Sequence, residues 1–302
     1  MSLKYWLVAA RLRTLPLAAA SVLCGALSAK LTGQYHATVM LLCLVTAVAL
    51  QVFSNLANDY GDACHCADTA DKQPPRMVSG GFISRAAMKR ALLLTGIVCC
   101  VCGIGLLAQA LPLVQADGWG GWLLWLALGC AAIAAAFAYT AGNKPYGYAG
   151  FGDLAVLVFF GWLGVLGSEY LQTGALAARS WLPATALGLW CVMVLNLNNM
   201  RDIESDGAAG KMTVVVRLGL PRAKFYHLAL TGSAWGLWLV WLACRLADSA
   251  VYMGLNVILT VASLSHACQV WRACDADLDR LLPQWSGWIL MWVLCLWLAV
   301  WY

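Results

Sequence analysis

Nine long runs of the chain contain no Asp, Glu, Lys or Arg: residues 14–29, 31–58, 91–116, 118–143, 154–168, 180–200, 225–244, 249–271 and 281–302. Within them the apolar residues are continuous rather than alternating, so each run reads as a helix that is apolar all round. A β-barrel would need alternation with a period of two. A helix needs about 20 apolar residues to cross a bilayer, and most of these runs have that length. The run at 154–168 is shorter and is extended through Leu171, with Glu169 near an interface. The pattern predicts an all-α polytopic membrane protein with nine transmembrane helices.

Composition agrees. Of 302 residues, 62% are hydrophobic and only 11% charged, with a mean hydropathy of +0.75. Globular chains average about half apolar and a quarter charged. Soluble, disordered and fibrous classes are therefore excluded. No linker or charge run divides the chain, so residues 1–302 are expected to form a single domain.

The few charges set the orientation. With nine spans and the N-terminus inside, the inner segments hold sixteen of the 19 basic residues, and only Lys30, Arg179 and Arg245 lie outside. Positive residues accumulate on the cytoplasmic side, so the N-terminus is expected there and the C-terminus outside. The net charge of +5 follows from this topology and calls for no nucleic-acid partner. Arg11 and Arg13 before an apolar run could mimic a signal peptide. Eight further spans and the apolar Tyr5–Ala10 segment favour a retained first helix, with residues 4–13 as an interfacial amphipathic helix. The thirteen cysteines lie mostly inside predicted helices, where cysteine acts as a small apolar residue. Cys64-His65-Cys66 has no second Cys/His pair nearby and reads as loop filler. His36, His227 and His266 are isolated in sequence and read as interfacial or packed.

The polar residues gather at one side. Two inner loops, about 57–90 and 199–225, hold Asp59, Asp62, Asp68, Asp71, Asp202, Glu204 and Asp206, seven of the 14 acids. If the second helix continues past the membrane core, Asn55, Asn58 and Asp62 share one face. Asn199, Asp202 and Asp206 repeat that three-then-four spacing after the sixth helix. The chain thus reads as two similar helical halves, each with an oxygen-rich patch at its inner mouth. Carboxylates and amides are hard ligands suited to Mg²⁺, which is usually held by a few carboxylates plus substrate phosphates. One such cluster could be a solvated helix end paired with lysine and arginine; two with matched spacing and side point to function. Lys72, Arg76, Lys211, Arg217 and Lys144 lie closest to the acids, and cations of this kind bind the non-bridging oxygens of a diphosphate. Gly207–Thr213 only faintly resembles a phosphate-binding Walker loop: the glycine spacing is wrong and no strand precedes it. The sixteen tryptophans read as interfacial belt and lipid-facing residues.

Asn58-Asp59-Tyr60-Gly61-Asp62 and Asp202-Ile-Glu-Ser-Asp206 resemble the paired aspartate motifs of the UbiA superfamily of intramembrane aromatic prenyltransferases. Ser54–Asp62, Gly142-Asn-Lys-Pro-Tyr-Gly-Tyr148, Gly152-Asp153 with Leu157–Trp162, and Asn198–Asp202 through Gly210-Lys211 and Val216–Gly219 are similar to the branch that prenylates 1,4-dihydroxy-2-naphthoate. This likeness covers about residues 11 to 225; the last three helices fit by count alone. The third aspartate of the general motif would fall at Cys66, with Asp68 two residues later.

The resemblance implies a helical bundle around a central cavity open to the cytoplasm and to lipid, in the cell inner membrane. Asn58, Asp62, Asp202 and Asp206 are expected to hold Mg²⁺ ions that bridge a polyprenyl diphosphate, with Asp59 and Asp68 supporting them. Asn55, Asn199, Lys72, Arg76, Lys144 and Lys211 are expected to bind substrate. Lys144 is the expected anchor for the naphthoate carboxylate, and Tyr139 is expected to face the allylic cation. The implied reaction releases CO₂ and diphosphate and gives demethylmenaquinol. Another aromatic acceptor, 4-hydroxybenzoate or homogentisate, is the near alternative. A transporter would instead place ionisable residues at the bilayer midplane.

Overall fold

The computed structural model describes residues 2–65, 76–246 and 250–301. Among the described residues nine helical stretches are long and apolar enough to cross a membrane, and no strand occurs. A short helix α1 (Leu3–Ala9) lies before α2 (Leu15–Leu31), separated by a turn at Arg11–Thr14. Then come α3 (Ala37–Cys64), α4 (Arg85–Leu113) and α5 (Trp119–Ala138). The fifth span is composite: α6 (Gly152–Val156), a π-helical stretch Leu157–Leu166, and α7 (Gly167–Thr173). It is followed by α8 (Trp181–Arg201), the short α9 (Ile203–Ala208) and α10 (Val214–Leu218), and the last three spans α11 (Leu220–Leu246), α12 (Ala250–Arg272) and α13 (Asp275–Trp301).

Local sequence explains several boundaries. Pro16 opens α2, where a missing N–H costs nothing. Ser84 caps α4 by accepting from the Ala87 amide at 3.2 Å, and Thr213 caps α10 through the Val216 amide. The second helix does run past the membrane core, as its motif spacing required, and carries Asn55 through Asp62 on regular α-helix.

Packing follows membrane rules. Lipid is as apolar as leucine, so association depends on close fit rather than on removing surface from water. Leu93, Val101, Leu123 and Val261 are exposed accordingly. The central helix is α8, whose Leu187, Trp190, Met193 and Leu197 are buried. It meets the π-helical stretch at Gly161 and Gly188: a Cβ on Gly161 would sit 2.7 Å from the Ala184 carbonyl and 2.9 Å from the Gly188 Cα. The wider turns of that stretch also bring Phe159, Phe160 and Leu163 to a central cavity. Its volume is about 510 Å³, and its walls come from α2, α3, α4, α5, the composite span and α8.

His227 and His266 are packed, as expected, and packed against each other. Their Nε2 atoms lie 3.2 Å apart, His227 Nδ1 is 3.0 Å from Asn196 Oδ1, and the His266 ring stacks 4.1 Å from Trp285. Neighbouring helices far apart in sequence bring them together. Glu169, four residues before the end of the span Gly152–Thr173, is buried within the bundle and accepts a 2.7 Å hydrogen bond from Ser180.

The Gly161 contact is testable. Gly161→Ala forces backbone apart, and overpacking of this kind costs about 1–3 kcal/mol. The detergent-solubilised variant should melt measurably below the wild type. Gly254→Ala, whose methyl meets nothing within 4 Å, should not.

Candidate functional site

The site lies where the C-terminal ends of α3 and α8 meet the 139–150 loop. That loop is pressed against α3 by a close approach that only glycine permits: a Cβ on Gly61 would lie 2.5 Å from the Thr140 carbonyl. Thr140 Oγ1 then donates to Asn58 Oδ1 at 3.1 Å and to the Ala57 carbonyl at 3.2 Å. A second fastening comes from Arg217, which donates to the Ala149 and Met212 carbonyls at 2.8 and 3.1 Å. Arg217 thus clamps the loop.

The buried acids Asp62, Asp202 and Asp206 each carry a cation. Asp62 has Arg76 at 3.7 Å, Asp206 has Lys211 at 3.5 Å, and Asp202 takes two 2.8 Å hydrogen bonds from Arg201. Tyr148 ties the two patches together. Its hydroxyl donates to Asp62 Oδ1 at 2.8 Å, and the Lys211 ammonium lies 5.6 Å from its ring centroid. Asn58, Asp62, Asn199, Arg76 and Lys211 all reach the cavity wall. The matched spacing of the second patch is broken by the backbone: α8 ends at Arg201, and Asp202 sits at φ −97°, ψ 12° before α9 starts.

Arg201 is tied in turn to the last span. It donates to Asp279 at 2.8 Å and to Asn198 Oδ1 at 2.9 Å, and Arg13 donates to the same Asp279 oxygen at 3.0 Å. Asp202 is thus held by a network that reaches from the first span to the ninth. The sequence signal for Arg201 was adjacency to Asp202; Asp279 is 78 residues from Arg201 and carried none.

Other expected residues stand as follows. Tyr139 is on the cavity wall, with its ring 5.4 Å from Tyr146. Burial first, and then the charges of Asp153 and Asp62, push its phenol well above the usual range, so it stays neutral. Asn55 is on the wall but is engaged, donating to the Ala10 carbonyl at 2.8 Å and to Thr14 at 3.1 Å. Asp59, expected to support the metal, is spent elsewhere: its two oxygens accept from the Met77 and Val78 amides at 3.0 and 2.9 Å. Lys144 is exposed and does not reach the cavity wall, because the loop turns it outward. Asp68 and Lys72 lie outside the described residues.

Among the described residues, no three Asp, Glu, His or Cys side chains converge as a ready cage for a metal. What is present is a split set of hard oxygens from Asn58, Asp62, Asn199, Asp202 and Asp206, each acid balanced by a cation. That chemistry fits a divalent ion that arrives with substrate phosphates, as Mg²⁺ does, better than an all-protein cage.

A bundle of membrane-spanning helices with two oxygen-rich patches, linked through Tyr148 and Lys211, beside an apolar cavity is an arrangement that suits an intramembrane transferase. The chain belongs to the UbiA prenyltransferase family, whose family model matches residues 18–288. Its relatives include the 1,4-dihydroxy-2-naphthoate octaprenyltransferase of Escherichia coli K12, 46% identical over 260 residues, 86% of this chain and 78% of the relative. The enzyme of the same name from Haemophilus influenzae is 41% identical over 285 residues, 93% and 89% of the two chains. Among solved structures, a UbiA homolog from Aeropyrum pernix K1 matches with a TM-score of 0.66 at 15% identity, over 91% and 96% of the two chains. A UbiA homolog from Archaeoglobus fulgidus bound to GPP and Mg2+ matches with a TM-score of 0.62 at 14% identity, over 97% and 99%. At such identities the structures speak for the fold alone.

The Asp59 assignment has a distinct signature. Asp59→Ala leaves two buried amides without their charged acceptor, a loss of about 1.5–3 kcal/mol for each such bond. It should lower the melting temperature clearly. Asp62→Asn, which keeps the Tyr148 contact geometrically possible, should melt close to wild type.

Proposed function

We propose that this protein transfers a polyprenyl group from polyprenyl diphosphate to 1,4-dihydroxy-2-naphthoate, releasing diphosphate and CO₂ and forming demethylmenaquinol. The observation that carries this is the pair of cation-balanced acid patches, bridged by Tyr148, at the mouth of an apolar cavity. The acceptor is supported by relatives bearing that activity in their names at 46% and 41% identity.

Residues 1–302 are taken as one transferase domain, with cavity residues drawn from Arg11 to Leu282. The diphosphate sits between the patches, where Arg76 and Lys211 exchange their carboxylate partners for non-bridging phosphate oxygens. Asn58, Asp62, Asn199, Asp202 and Asp206 would hold Mg²⁺, which supplies Lewis-acid neutralisation of the leaving diphosphate. The prenyl chain lies along the apolar wall built by Phe159, Phe160 and Leu163. The allylic C–O bond breaks and its electron pair leaves with the diphosphate. The neutral Tyr139 ring offers its face to the allylic cation and cannot trap it as a phenolate would. Low water content in the cavity protects the cation from hydrolysis. The naphthoate ring supplies the electron pair for the new C–C bond, and the pair from the breaking C–CO₂⁻ bond restores the ring.

The acids should matter mainly in the transition state. Asp62→Asn and Asp202→Asn should each lower turnover by orders of magnitude in purified, folded protein, and wild type should release one CO₂ per prenylated product. Normal turnover of both variants at low Mg²⁺ would reject the patches as the metal site, and a product that retains its carboxyl group would reject the naphthoate acceptor.

We also place the chain in the cell inner membrane with both patches cytoplasmic, supported by sixteen of 19 basic residues on that side. In a cysteine-depleted background, Lys144→Cys should react with an impermeant thiol reagent only after permeabilisation, and Arg179→Cys in intact cells. The reverse pattern would invert the topology.

A further inference from the structure

With Lys144 exposed, the cations on the cavity wall are Arg76 and Lys211, which accompany Asp62 and Asp206, and Arg11. A carboxylate cannot enter an apolar cavity without a charged or hydrogen-bonding partner. Arg11 lies on the cavity wall. Its Nη2 atom is buried with no hydrogen-bond partner, and no ion pair among the described residues includes it. Asp59, the carboxylate in electrostatic reach, has both oxygens taken by backbone amides.

The backbone adds a second observation. Arg11 has φ 48° and ψ 59°, the left-handed region that a long side chain adopts at a cost. The surroundings over-determine that conformation. The Arg11 amide donates to the Val8 carbonyl at 3.1 Å, and its own carbonyl accepts from the Thr14 amide and hydroxyl at 2.9 and 3.0 Å. The turn is fastened to α3 through Asn55, which donates to the Ala10 carbonyl, and through Gln51, which donates to Thr14 at 3.3 Å. Strain held in place by such fastening, in a half-buried arginine on the cavity wall whose Nη2 is enclosed and unpartnered, is how binding residues are presented.

Position separates this cation from the two that face the diphosphate. Arg76 and Lys211 accompany Asp62 and Asp206. The Arg11 turn is fastened to α3 at Gln51 and Asn55, and Asn55 precedes Asp62 by seven residues, about 10 Å along a helix. An acceptor that attacks the allylic carbon must present its ring away from the departing diphosphate.

Building on the acceptor reading above, we propose that Arg11 holds the carboxylate of the aromatic acceptor, its planar fork matching the two carboxylate oxygens. The test uses the full-length protein in nanodiscs, comparing wild type with Arg11→Met, Arg11→Lys and Arg11→Gly. Loss of a charged hydrogen bond should raise KM for 1,4-dihydroxy-2-naphthoate about 10- to 100-fold in Arg11→Met. KM for the polyprenyl diphosphate should change less than about twofold. The same ring without a carboxylate, 1,4-naphthalenediol, should show the same constant in wild type and Arg11→Met, whether it is turned over or only competes. Arg11→Lys should recover part of the loss. Arg11→Gly should relieve the left-handed turn and melt above wild type while keeping the naphthoate defect, a combination that a structural role alone does not produce. A rise in the diphosphate KM would assign Arg11 to the prenyl donor and overturn the proposal. So would an equal loss with naphthalenediol, or no change in any constant. Should wild type ignore naphthoate and prenylate another aromatic acid, the acceptor reading fails instead, and the Arg11 assignment is read from that acid's KM in the same variants.

Discussion

Everything at the mouth formed by the C-terminal ends of α3 and α8 depends on one constraint: a carboxylate buried at the edge of a membrane must have its charge balanced nearby. Uncompensated charge there costs several kcal/mol or more. Asp62, Asp202 and Asp206 are each almost inaccessible, and each has a basic side chain against it. The positions of Arg76, Arg201 and Lys211 are therefore set by the acids before any substrate arrives. Those cations in turn fix the loops that carry them. The 139–150 loop is drawn in because Tyr148 must reach both Asp62 and the Lys211 ammonium.

That balance is also what makes the site usable. A pocket with bare acids would repel a diphosphate, and a pocket with bare cations would bind it without needing a metal. On the function proposed above, paired acids and cations would let both sets change partners at once, cations to phosphate oxygens and carboxylates to an incoming divalent ion. The total charge in the low-dielectric region then changes little as the complex forms. The apolar walls below contribute the opposite property, since on the same proposal they would hold the isoprenoid and leave little water near a reactive cation. The π-helical stretch Leu157–Leu166 serves both ends of this arrangement. It lets the fifth span approach α8 through Gly161 and Gly188, and it places Phe159, Phe160 and Leu163 on the cavity. Such π segments recur at functional sites because they re-aim side chains without ending a helix.

The spans and the patches were legible because both are written locally. Charge-free runs follow from bilayer thickness, and Asn55, Asn58 and Asp62 follow from helical period. The roles of individual residues were less legible because partners distant in sequence decide them. Asp59 and Asp62 are indistinguishable as aspartates three residues apart. One faces the Met77 and Val78 amides and becomes a loop anchor; the other faces Tyr148 and Arg76. Lys144 sat in the right loop, but a turn through Gly142, at φ 92°, leaves it outside. His227 and His266 looked isolated only because their contact crosses from α11 to α12.

The two halves resemble one another in spacing but are not held in the same way, and the difference follows from their backbones. In the first half the helix continues unbroken to Cys64, so Asn58 and Asp62 are aimed by helical geometry and need only a loop laid against them. In the second half the helix stops at Arg201, and Asp202 leaves helical geometry. Its carboxylate has no rigid helix to aim it. The fork of Arg201 supplies the missing constraint, gripping both oxygens, and Asp279 with Arg13 fixes the fork from the ninth and first spans. This gives the last three spans, which carry no motif of their own, a physical part in the site. By closing the bundle against α2 and α8 they bring Asp279 to where a broken helix end requires an external support.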